Sequence, residues 1–120
     1  GYLILAKLQF INPKKYSSSW NFGPMNHNVR NVSSIVKQII DYWGYGTIQK
    51  KKKKIFHEHH YLQLDINKAV KSLSWKPIYN VSKSVNVTTD WYFQVHKKKI
   101  DPSIITSKQI DQYMQDSNYL

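Results

Sequence analysis

The sequence predicts a small, helix-rich α/β fold with two or three short strands and no Rossmann core. Long stretches carry apolar residues at steps of three and four, which is helical spacing, while shorter ones alternate weakly, as strands do. No Gly-rich turn joins a strand to a helix, as a dinucleotide-binding half would require. The 120 residues are one domain's worth, and a chain that is 41% hydrophobic, with four Trp and nine Tyr, can bury a modest core rather than stay disordered. Residues 1–120 are therefore read as one lobe, with 99–120 a C-terminal helical extension within it.

The first ten residues, GYLILAKLQF, read as a short apolar helix ending near Asn12-Pro13. Ser17 to Phe22 fits a strand, with a turn at Gly23-Pro24. Val32, Ile35, Val36, Ile39, Ile40 and Trp43 then form one helical face, with Asn31 as N-cap and Gly44 just past the end. Thr47 to Lys53 is a weak strand pattern, and Tyr61 to Leu64 a short strand or extended segment. Asp65 caps a helix whose apolar face is Ile66, Ala69, Val70 and Leu73, and Trp75-Lys76-Pro77 breaks it. A longer helix, Val81 to Lys98, turns Val81, Val85, Thr88, Trp91, Tyr92 and Val95 inward, and Asp101-Pro102 marks a stop. The last helix starts at a T-x-x-Q capping box, Thr106 and Gln109, with Ile105 and Ile110 as a hydrophobic staple.

The formal charge of +11 raises the question of nucleic acid or an anionic surface. However, 17 of the 18 basic residues are Lys and only Arg30 is Arg, whereas base readout and bidentate phosphate clamps favour Arg. With 13 Ile and nine Asn, the Lys excess matches a drift toward AT-rich codons, so no dedicated nucleic-acid role is expected. The alternative kept open is a basic module binding nucleic acid or an anionic surface through Lys50–Lys54 and Lys97–Lys99. Without cysteine there is no disulfide framework, and a reducing cytoplasm is permitted. GYLILAKLQF is too short to span a bilayer, so no membrane partner is expected.

Residues 56–65, FHEHHYLQLD, hold three of the five His and the only Glu, directly after the lysine run. Metal chemistry is not expected: H-E-x-x-H fails because position 61 is Tyr, and on a strand His57, His59 and His60 cannot all face one way. Tyr79 and Lys83 spell Y-x-x-x-K, the acid–base pair of short-chain dehydrogenases, but Tyr79 precedes the expected helix and no cofactor turn accompanies it, so the match is read as chance.

Five motifs, taken in order, are WNFGP (20–24), V-x-x-IV-x-x-I-x-x-x-WG-x-G (32–46), HE-x-HYLQLD-x-x-KA (57–69), L-x-W-x-P (73–77) and TT-x-WY (88–92). Their order and spacing resemble the C-terminal portion of the CDP-glucose 4,6-dehydratases, a branch of the extended short-chain dehydrogenase/reductase family of nucleotide-sugar enzymes. L-x-W-x-P is shared by many extended members; WNFGP with HE-x-HYLQLD is more specific to this branch. The resemblance implies that the chain is a fragment: the substrate-binding lobe of a cytoplasmic, NAD-dependent lyase that converts CDP-glucose to CDP-4-dehydro-6-deoxyglucose, a precursor of dideoxyhexoses in bacterial surface polysaccharide such as O-antigen. It also implies that the catalytic Tyr-x-x-x-Lys and the NAD site lie in an N-terminal Rossmann half. NAD is thus expected for the full-length enzyme and not for this stretch. A homodimer would be a property of the full-length enzyme, since relatives pair through cofactor-domain helices absent here. Within the family, a dTDP-glucose dehydratase or a nucleotide-sugar epimerase is the alternative.

The resemblance assigns no catalytic, cofactor-binding or metal residue, and four substrate-binding candidates. Asn21 matches the Asn at the end of the family's strand, where an amide meets a phosphate or ribose hydroxyl, or else bonds its own turn. Gly23 allows close backbone approach, or simply makes the turn. His57 would donate to the pyrophosphate and Tyr61 would stack on or bond the base or sugar. Glu58 either orients His57 or is a solvated rim charge; the four Trp and Tyr92 are read as core. Three departures from the family pattern stand out: Asn31 in place of Pro, Ser74 in place of Gly after a helix, and the run Lys50–Lys54 in place of acidic residues.

Overall fold

The computed structural model describes residues 1–25, 30–49 and 64–117. Six α-helices and one π-helical turn follow in order among them: α1 Tyr2–Ile11, α2 Pro13–Tyr16, α3 Val32–Trp43, α4 Asn67–Leu73, α5 Val81–Tyr92, the π turn Phe93–Lys97, and α6 Pro102–Asp116. The described residues group into two compact units, one from the segments around α1, α2 and α4, the other from α3, α5 and α6.

The expected strands are corrected: there is no strand among the described residues, and the chain is helical rather than α/β there. Among the described residues, Ser17–Phe22 meets no second strand to supply a ladder. Its order comes from side-chain bonds instead: Trp20 Nε1 donates to the Tyr16 carbonyl at 2.9 Å and Asn21 Nδ2 to that of Asp65 at 3.3 Å. Residues 47–49 and Leu64 are likewise irregular, and the remainder of those two expected strands lies outside the described residues.

In the first unit, Asn12 closes α1 with its backbone N–H on the Leu8 carbonyl and opens α2 with its side chain accepting from Lys15 N at 3.1 Å. Pro13 at the first position of α2 has no N–H to orphan. Asp65, expected to cap α4, stands one residue ahead of the cap position, which Ile66 holds without a side-chain bond; its Oδ1 accepts from Asn67 N at 2.9 Å. The face of α4 is buried through Ile66, Ala69 and Leu73. Beside it runs a chain of edge-on rings, Tyr2 on Phe22 at 5.0 Å and Phe22 on Trp75 at 4.9 Å. Ser74, where the family pattern has Gly, stands in the left-handed region at φ 51°.

In the second unit, Asn31 caps α3 by accepting from Ser34 N at 2.7 Å, and Gly44 ends it at φ 86°. Val32 and Ile39 of the expected apolar face are exposed; Ile35, Val36, Ile40 and Trp43 are the half-buried ones. Asn80 caps α5 in the same way, accepting from Lys83 N at 2.8 Å. The inward face of α5 is corrected by one residue: Thr89, not Thr88, is buried, and its Oγ1 donates to the Val85 carbonyl at 2.7 Å, while Tyr92 is exposed.

The end of the chain is corrected too. Asp101-Pro102 is a start, not a stop: Asp101 Oδ1 accepts from Ser103 N at 2.7 Å and Pro102 opens α6. Thr106 and Gln109 lie inside α6 and bond across to α5, Thr106 Oγ1 accepting from Trp91 Nε1 at 3.0 Å and Gln109 Nε2 donating to the Val87 carbonyl at 2.9 Å. Ile105 is buried and Ile110 exposed, so they do not form a staple.

Candidate functional site

Of the four expected substrate-binding residues, Asn21 and Gly23 are described; His57 and Tyr61 lie outside the described residues, as do Glu58, His59 and Lys50–Lys54. Asn21 is exposed and held from one side by its bond to the carbonyl of Asp65, the residue whose carboxylate accepts from the first N–H of α4. Lys68, in the first turn of that helix, reaches back to the same segment: its Nζ donates to Ser18 Oγ and to the Ser19 carbonyl, both at 2.9 Å, and sits 4.4 Å from the centre of the Trp20 ring. The 18–21 segment is therefore fixed against the start of α4 by one amide and one ammonium.

Gly23 follows directly. It is not among the glycines with positive φ, so the corner does not need glycine for its backbone. A Cβ built there would meet Ile66 Cγ2 at 3.5 Å and Leu64 Cβ at 3.8 Å, ordinary contact distances. The described residues leave room for a methyl group at this position. Asn21 and Gly23 thus share one corner, with Leu64 beside them, three residues after Tyr61.

A second polar cluster, in the unit of α3, α5 and α6, escaped the sequence reading. Asp90 accepts from Tyr42 OH at 2.7 Å and from Gln94 Nε2 at 3.0 Å. Burial alone would raise its pKa, but hydrogen bonds from Tyr42, Gln94 and Gln109 and the charge of Lys108 outweigh it and hold the carboxyl below the usual range. The bond to Asp90 correspondingly pushes the Tyr42 phenol up. These groups line a cleft of about 400 Å³ with Tyr79, Lys83 and Ile105. The signal for it was four-residue spacing on two helices: Gln38 Nε2 bonds Ser82 O and Asn86 Oδ1 at 2.7 and 2.6 Å, one turn from the Tyr42–Asp90 bond.

Tyr79 and Lys83 do not make an acid–base pair of the dehydrogenase kind, which depends on a phenol whose pKa is lowered. Burial, then the hydrogen bond to Asp116, push Tyr79 up to about 12, and Lys83 Nζ stands 5.4 Å from the ring centre rather than at the hydroxyl. Among the described residues no group of three or more His, Cys, Asp or Glu is placed to hold a metal ion. No described helix is long and apolar enough to cross a membrane.

No family model matches the chain. A curated relative, the CDP-glucose 4,6-dehydratase of Salmonella typhimurium (strain LT2), is 30% identical over 118 residues. The match takes in 95% of this chain and 32% of the relative, so the chain spans about a third of the length of the protein it matches. Along nearly all of its sequence, the chain is related to CDP-glucose 4,6-dehydratase.

Proposed function

We propose that this chain is the substrate-binding part of a CDP-glucose 4,6-dehydratase and has no catalysis of its own. The observation that carries the reading is the match to that enzyme over 95% of the chain. In the full reaction CDP-glucose becomes CDP-4-dehydro-6-deoxyglucose, with NAD supplying hydride transfer when bound to the remainder of the enzyme. The residues present here do not fit NAD. Gly44 and Gly46 follow the C-terminal end of α3, where exposed carbonyls repel a phosphate, and Gly23 is an isolated glycine.

The work left to this chain is recognition of the nucleotide. Asn21 Nδ2 is engaged with Asp65, so Asn21 meets a ribose hydroxyl through Oδ1. The lack of a side chain at Gly23 lets a ligand approach the backbone. His57 donates to the pyrophosphate, and Tyr61 stacks on or bonds the base or sugar. The test is calorimetry on this chain together with the part of the enzyme that it does not span: CDP binds at least about tenfold tighter than dTDP or UDP, a difference of about 1.4 kcal/mol. Equal affinities would overturn the reading, and a preference for dTDP would move the chain to the dTDP-sugar branch.

A further inference from the structure

Three glutamines line the cleft of the α3, α5 and α6 unit: Gln94 in the π turn, and Gln109 and Gln112 on α6. Each spends its side-chain nitrogen on the protein itself. Gln94 Nε2 donates to Asp90 Oδ1 at 3.0 Å, Gln109 Nε2 to the Val87 carbonyl at 2.9 Å, and Gln112 Nε2 to Asp116 Oδ1 at 2.8 Å. A carbonyl or an ionised carboxylate only accepts, so each amide has to turn its nitrogen toward its partner, which fixes its orientation. What each glutamine keeps for the cleft is its oxygen, an acceptor. Among the described residues none of these three oxygens receives a hydrogen bond. Donors stand on the same walls. They are the ammonium groups of Lys83 and Lys108, and the Asn86 Nδ2, since Asn86 Oδ1 is taken by Gln38 Nε2 at 2.6 Å.

Two further properties narrow the ligand. The charges balance: Lys108 acts on the Asp90 carboxylate and Lys83 on that of Asp116. An anion such as phosphate would face three amide oxygens with nothing to give them, and a cation would face two ammonium groups. A hydroxyl both donates and accepts at one atom, so it satisfies both kinds of wall. The cleft also has an apolar side in Val87, Ile100 and Ile105, of which Ile105 is buried and the other two half-buried. Apolar surface with a few convergent polar groups is how small-molecule sites are built, and about 400 Å³ lies at the small end of their range.

We infer that this cleft binds a neutral polyol of monosaccharide size, whose hydroxyls donate to the side-chain oxygens of Gln94, Gln109 and Gln112 and accept from Lys108 and Asn86. Its carbon skeleton rests on Val87, Ile100 and Ile105. The inference is independent of the nucleotide reading and uses none of Asn21, Gly23, His57 and Tyr61.

The experiment titrates the full chain with myo-inositol and follows the methyl resonances of Val87, Ile100 and Ile105 and the side-chain amides of the three glutamines by NMR. These resonances move together and saturate by about 100 mM, a dissociation constant of about 10 mM or tighter. Inorganic phosphate and putrescine, the acceptor-only anion and the donor-only cation, leave them in place. Lys108 and Gln112 are exposed, so Lys108→Met and Gln112→Met keep the wild-type helix content by circular dichroism. Combined, they weaken binding at least about tenfold. Asp111→Asn, on α6 but outside the cleft lining, leaves binding unchanged. The inference is overturned if myo-inositol moves none of these resonances, if phosphate or putrescine binds there as well as it does, if the double variant binds like the wild type, or if CDP alone moves the same set. Nucleotide preference is read by calorimetry and polyol binding by these resonances, so either can fail without the other.

Discussion

The Tyr79 hydroxyl donates to Asp116 Oδ2 at 2.7 Å, tying the residues ahead of α5 to the last turn of α6. The Tyr79 and Tyr113 rings meet edge-on at 5.2 Å beside it. One bond therefore shifts two titrations in opposite directions: Tyr79 up to about 12, after burial, and Asp116 down, chiefly through the phenol's hydrogen bond.

Linkage gives the pH dependence. The raised Tyr79 contributes stability that is fully present below the ordinary tyrosine pKa of about 10 and is lost as pH rises through about 12. The lowered Asp116 contributes stability present above the ordinary aspartate pKa and lost as pH falls through its depressed value. Tyr79→Phe should remove the alkaline loss and return the Asp116 carboxyl toward its ordinary pKa, read by carboxyl carbon NMR. An unchanged Asp116 titration in the variant would show that the bond does not persist in solution.

Ser74→Gly should stabilise the protein by about 0.5–1 kcal/mol, because Ser74 holds a left-handed backbone conformation that glycine adopts without a Cβ penalty. Urea denaturation should show a higher midpoint at unchanged slope. A lower midpoint would mean that the serine hydroxyl compensates the strain.

Asn31→Ala should cost about 1 kcal/mol, since it removes both the cap on Ser34 N and the start of α3. The same change at Asn80 should cost a similar amount at α5. Urea midpoints for the two variants check this, and a neutral effect at either would show that water replaces the cap.

Gly23→Ala separates the two roles open at that corner. Its φ is not positive, and the new methyl would make only ordinary contacts with Ile66 and Leu64, so stability should change by no more than about 0.5 kcal/mol. If the backbone is left bare for a ligand, CDP affinity in the complemented enzyme should fall at least about tenfold. Wild-type affinity together with wild-type stability would reduce Gly23 to a residue of the turn.

Helices with one apolar face and an Asn cap were legible from sequence: α3 and the α5–π segment stand at nearly their expected limits, as does the apolar α1, with Asn31 and Gly44 in their expected roles. Strands were not, because a strand is a property of two segments, and Ser17–Phe22 found its partners in Tyr16 and Asp65 carbonyls instead. Asp101-Pro102 misled because proline ends one helix and begins the next with equal ease; only the Asp101 bond to Ser103 N tells them apart. Thr106 and Gln109 have the spacing of a capping box but spend their side chains on α5. At the candidate site, Asn21 and Gly23 came from the motif and do share one corner, whereas the Tyr42–Asp90 cluster joins residues 48 apart, and the four-residue spacings on α3 and α5 do not by themselves say that these two helices pair.

The proposed role is recognition of a nucleotide sugar rather than of polyanions in general. The most direct measurement is CDP and single-stranded DNA binding to the complemented protein, each titrated over rising salt. The account predicts that CDP binds in preference to dTDP at every salt concentration, that Asn21→Ala weakens CDP binding, and that DNA binding is weak throughout. Tight DNA binding that collapses steeply with salt, with no preference among nucleotides, would contradict it.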